Sequence, residues 1–77
     1  MNIKIKKRNN DHKTTEIVLK KYESTHLRDL YLENELLKLR SNPSIEEKFS
    51  DVINGNYLFY NTANHDEIAI HKTDIDE

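Results

Sequence analysis

The chain has 77 residues, 35% hydrophobic and 34% charged, with a net charge of −2 and no cysteine. That length makes one domain, residues 1–77, which buries only about 60% of its unfolded surface; the lack of cysteine excludes disulfides, thiolate metal sites and cysteine nucleophiles. No apolar run approaches the ~18 residues of a membrane span, and the N-terminus, charged from Lys4 onward, lacks a signal peptide's apolar core, so the expected location is the cytoplasm without membrane association.

Charge is unevenly spread. Lys4, Lys6, Lys7, Arg8, Lys13, Lys20, Lys21 and Arg28 outweigh the few acids of residues 1–28, whereas Glu46, Glu47, Asp51, Asp66, Glu67, Asp74, Asp76 and Glu77 dominate residues 42–77. Either the two ends pair in the fold, or the first forms a basic face for an acidic partner. Abundant Lys, Asn and Ile point to an AT-rich coding sequence, such as a low-GC bacterium, its phage or a plasmid carries.

In chain order, Asn2-Ile3-Lys4-Ile5-Lys6 alternates with the period of a half-buried strand. Arg8 to Lys13 is rich in turn formers, and Thr14 to Lys20 favours a strand that turns Ile17 and Leu19 to the core. Residues 1–20 therefore read as a basic hairpin, the alternative being that a long helix starts near Thr15. Ser24 or Thr25 then caps a helix through Arg40, a run of strong helix formers with Lys38 and Arg40 at the negative end of its dipole.

After Pro43 a second helix is expected, capped by Asn42 or by a Ser44/Glu47 capping box. Ile45, Phe49, Val52 and Ile53 would form its apolar stripe, Gly55 its left-handed C-cap, and residues 24–54 a helical hairpin. Tyr57 to Tyr60 and Ile68 to Lys72 flank an Asn/Asp-rich loop and read as a hairpin over 57–72. Residues 73–77 form an acidic tail. The expected fold is a small α+β domain, ββααββ, with two helices on an antiparallel sheet of two hairpins; βααββ follows if the first hairpin fails.

The first helix carries two apolar stripes. At 100° per residue, Leu27, Leu30, Tyr31 and Leu37 fall on one side, and Leu32, Leu36 and Leu39 on nearly the opposite one. A helix outside a monomer needs only one. Either stripe is a candidate contact surface for a second protein or a second copy. Leu27, Leu30, Asn34 and Leu37 follow a-d-a-d spacing, in which a buried Asn can set dimer register. Tyr57 and Tyr60 are candidate rim anchors.

No catalytic constellation stands out. The serines lie at caps or on helix surfaces, and one glycine cannot build a phosphate-cradling loop. His65, Asp66, Glu67 and His71 could converge across the last hairpin, but their spacing matches no zinc module. The expectation is a protein with no enzymatic role, cofactor or metal: a small regulatory or inhibitory protein of a phage or mobile element, acting by protein–protein contact. The alternative is a DNA- or RNA-binding regulator using Lys4, Lys6, Lys7, Arg8, Lys13, Lys20 and Lys21 on the basic hairpin. A helix-turn-helix reading is disfavoured by the acidic surface of the would-be second helix.

Overall fold

The computed structural model describes residues 1–9 and 15–74. Strands β1 (Asn2–Arg8) and β2 (Thr15–Lys21) lead into helix α1 (Thr25–Arg40), then come β3 (Ile45–Asp51), β4 (Asn56–Asn61) and β5 (Glu67–Thr73). They make one antiparallel sheet in the order β2-β1-β5-β4-β3, so α1 carries the chain from one edge strand to the other. Basic β1 lies beside β5, with Arg8 opposite Glu67, so the two ends of the charge gradient meet inside the sheet.

The helix begins where its local chemistry dictates. Ser24 is extended and its hydroxyl accepts the Leu27 backbone N–H at 3.2 Å, which satisfies one of the orphan donors of the first turn. Helix formers continue to Arg40, and the Ser41 N–H closes onto the Leu37 carbonyl at 3.0 Å. The final hairpin is equally local: Asn61 accepts from Ala63 N–H, and Asn64 from Asp66 N–H, both as Asx turns.

Residues 42–54 overturn the expected second helix, and with it the ββααββ architecture. Among the described residues there are one helix and five strands, and the expected helical hairpin of residues 24–54 is a helix followed by an edge strand. Asn42 accepts from the Ser44 N–H at 2.9 Å, an Asx turn rather than a helix cap, and the Asn42 carbonyl takes the Ile45 N–H. Glu47 closes no capping box; it pairs with Arg40, and Glu46 pairs with Lys48. Of the helical period Ile45, Phe49, Val52 and Ile53, Ile45 alone packs against the core, and the other three are exposed. What decides the segment is the open edge of β4, whose backbone groups a seven-residue strand satisfies; such tertiary pairing overrides weak local propensity.

Gly55 is the left-handed residue of the β3–β4 turn, with φ of +68°, not a helix C-cap. Asp51 receives the Asn54 N–H and side-chain amide across the same turn. A Cβ on Gly55 would fall 2.0 Å from Cγ of Lys72, whose aliphatic chain lies against the turn.

Cross-strand partners share a face of the sheet, so register sorts every strand side chain. Ile3, Ile5, Val18, Ile68, Ile70, Tyr57 and Phe59 look toward α1. Ile3, Phe59, Ile70 and Tyr57 close with Leu32 and Leu36 into the core. Ile17 and Leu19, expected on the core side, face the other way and are exposed, because the strand is in phase with Val18 instead. Among the described residues, the opposite face carries no helix.

Candidate protein-binding surface

The two leucine stripes of α1 part company on packing. Leu32 and Leu36 are buried against the sheet, and Leu39 packs at the margin of that core. Most of this inner stripe is therefore spent on the chain's own core. Leu27, Leu30 and Leu37 stand outward at 50%, 57% and 63% exposure, with Asn34 exposed among them. Tyr31 leaves this outer stripe for the helix flank, where its ring meets Tyr22 at 5.5 Å between centroids.

The β3–β4 turn adds to the outer stripe. Val52 and Ile53 are exposed at its tip, and Leu30, Asn34, Leu37, Val52 and Tyr57 line one open groove of about 530 Å³ between helix and turn. Tyr57 is buried and forms the floor, not the rim; burial raises its phenol above the ordinary tyrosine range. Two polar contacts set the groove's walls. Arg40 grips Glu47 through Nε at 2.6 Å and Nη2 at 3.0 Å, tying the end of α1 to β3. Those hydrogen bonds hold the Glu47 carboxyl below its usual range. Lys72 stands 3.8 Å from Asp29.

Asn54-Gly55 is the sequence signal that finds this turn, since Asn-Gly is a strong hairpin dipeptide. Nothing in the periodicity of Val52 and Ile53 marks them as exposed.

The candidate nucleic-acid residues do not stay together. Register puts Lys4, Lys6, Arg8 and Lys21 on the open face of the sheet and Lys7 and Lys20 on the α1 side. Lys20 bonds the Tyr31 hydroxyl, and its ammonium sits 4.1 Å from that ring centroid. Lys13 lies outside the described residues, as do residues 75–77 of the acidic tail. Tyr60 is on the open face, half-buried; its hydroxyl meets His65 Nδ1, and Lys48 lies 5.8 Å from its ring centroid. His71, on the same face, meets Asn56. Among the described residues no group of three or more histidines and carboxylates is placed to hold a metal, and no helix is long and apolar enough to cross a membrane.

No family model, curated protein or solved structure matches this chain.

Proposed function

We propose that this is a small regulatory or inhibitory binding protein that acts through the groove between α1 and the β3–β4 turn. The observation that supports it is the surplus apolar surface of Leu30, Leu37 and Val52, all more than half exposed and brought together along one groove of a nine-kilodalton chain. A contiguous patch of that kind is uncommon on a free-standing surface and marks a contact site. Its shape fits an amphipathic helix of another protein, laid with leucine-sized anchors at i, i+3 or i+4. Glu33 is exposed on the groove's edge and favours a basic residue beside that ridge.

The test is capture of a partner by tagged protein from cell lysate, with and without nuclease, using the wild type and the variants Leu30→Glu, Leu37→Glu and Val52→Asp. The proposal expects a near-stoichiometric protein that survives nuclease and is lost with each variant. Retention of the partner by all the variants removes the groove from the function.

A second reading rests on the open face, where Lys4, Lys6, Arg8 and Lys21 share a surface with the exposed ring of Phe49 and with Tyr60. Cations beside aromatic rings suit single-stranded nucleic acid. Glu46, Asp51 and Glu67 occupy the same face and weaken its field, which places this reading second. Oligonucleotide binding that collapses as salt rises and is lost in a Lys6→Glu/Arg8→Glu variant would promote it.

A further inference from the structure

The two edges of the sheet are unlike. β3 is interrupted by a register shift between Glu47 and Phe49 and carries Glu46, Glu47 and Lys48 in succession, devices that blunt an edge against pairing. β2 has no such interruption: all seven of its residues pair with β1 in one continuous register, and it contains no proline. Its Ile17 and Leu19 are exposed.

The direction of its backbone groups follows from one hydrogen bond. Tyr22 N–H donates to the Met1 carbonyl at 2.8 Å, which continues the β1–β2 register by one pair. Hydrogen-bonded and non-bonded pairs alternate along an antiparallel ladder. The even-numbered residues of β2 therefore bond to β1, and Thr15, Ile17, Leu19 and Lys21 turn their N–H and C=O groups outward from the sheet.

We propose that β2 pairs with β2 of a second copy, antiparallel about a two-fold axis at Val18, making one continuous sheet across two chains. The order of residues is self-complementary in that register. Val18 meets Val18, Ile17 meets Leu19, and Glu16 meets Lys20, each of the last two pairs occurring twice by symmetry. Opposite charges and apolar pairs placed directly across strands are the stabilising combinations, while like charges there are unfavourable. Faces agree as well: Ile17 and Leu19 lie on the open side, Glu16, Val18 and Lys20 on the α1 side. The outward groups of Ile17 and Leu19 then bond each other, and those of Thr15 bond those of Lys21. Shifting the axis to Ile17 or Leu19 shortens the ladder or faces Lys20 with Val18, so Val18 is the centre the sequence selects. Above this edge, Ile5, Val18, Lys20, Glu35 and Leu39 line a groove of about 230 Å³, which the symmetry doubles into a trough across the join. The dimer lies away from the leucine groove and leaves both copies of it open.

Sedimentation equilibrium of the full chain, up to millimolar concentration, tests this. The wild type is expected to be a dimer. Leu19→Pro removes an outward N–H while leaving the β1 ladder its bonds, so it is expected to give a folded monomer by circular dichroism. Glu16→Lys is an exposed change that sets a like charge against Lys7 within the chain and against Lys20 twice across the join; it is expected to keep the wild-type circular dichroism spectrum and to raise the dimer Kd roughly ten-fold or more. Glu16→Lys/Lys20→Glu restores opposite charges and is expected to bring the Kd back toward the wild type. Leu37→Glu is expected to leave it unchanged. A monomeric wild type, a dimer indifferent to Glu16→Lys, or a dimer dissolved by Leu37→Glu overturns the proposal; the last outcome would move self-association to the helix.

Discussion

Arg28, in the first turns of α1, donates through Nη1 to the backbone carbonyl of Thr73 at 3.0 Å, so the start of the helix is tied to the end of the last strand. The guanidinium is buried at 4% exposure, and it also holds Asp29 at 2.9 Å and Asp74. Arg28→Ala forfeits packing and these hydrogen bonds together. It is expected to lower stability by about 2–3 kcal/mol in urea unfolding. Arg28→Lys keeps charge but loses the planar fork and should fall between the two. A wild-type midpoint for Arg28→Ala would show that this tie contributes nothing.

Neighbouring leucines give opposite expectations. Leu36 is 5% exposed against Tyr57 and Phe59, whereas Leu37 is 63% exposed. Leu36→Ala is expected to cost about 2–4 kcal/mol through lost transfer energy and a cavity. Leu37→Ala should stay within about 0.5 kcal/mol. Equal losses at both positions would mean that the outer stripe is covered in solution, and urea midpoints measured over a range of protein concentration would show by what.

Gly55→Ala forces a Cβ onto a backbone with φ of +68° and into the Lys72 side chain. The Lys72 N–H donates to the Gly55 carbonyl at 2.9 Å, so the turn cannot move without disturbing β5. A loss of about 1–2 kcal/mol is expected. A crystal structure of the variant should show Lys72 displaced from the turn and from Asp29.

Stability should fall on acidification. Hydrogen bonds from Arg40, from Asn54 and from Arg28 hold Glu47, Asp51 and Asp74 respectively below the ordinary carboxylate range. A group depressed in the folded state stabilises above its unfolded pKa, about 3.9–4.3 for these residues, and that contribution is lost as pH falls through the folded value. The urea midpoint is therefore expected to hold down to about pH 5 and to decline steadily below. Arg40→Gln should shallow that decline. Because both partners are partly solvated, at 46% and 28% exposure, its effect at neutral pH should remain within about 1 kcal/mol. Superimposable acid limbs for wild type and Arg40→Gln would remove this pair from the linkage.

Several elements are legible in the residues themselves because their causes are local. The alternation of Asn2 to Lys6, the Ser24 cap, the helix formers through Arg40 and the Asn-rich turn after Tyr60 act on neighbours within a few residues. The strands and the helix form there. The two stripes of α1 are legible for the same reason, since 100° per residue separates Leu36 from Leu30 whatever lies underneath.

The sequence by itself thus determined the end of α1, the C-terminal hairpin and the presence of two leucine stripes, and left open whether the segment before Ser24 is strand or helix. Only the tertiary structure decided which stripe is inside, which phase β2 takes, and that residues 45–51 are a strand. Ile45, Phe49, Val52 and Ile53 satisfy a helical period, but periodicity reports a face only if something packs on it. Here the unpaired backbone of β4 outweighs that period, because a strand's hydrogen bonds are made to another strand and no pattern within one segment encodes its partner. The same reason separates Leu36 from Leu37: burial is a property of the sheet beneath the helix, brought there by residues distant in the chain.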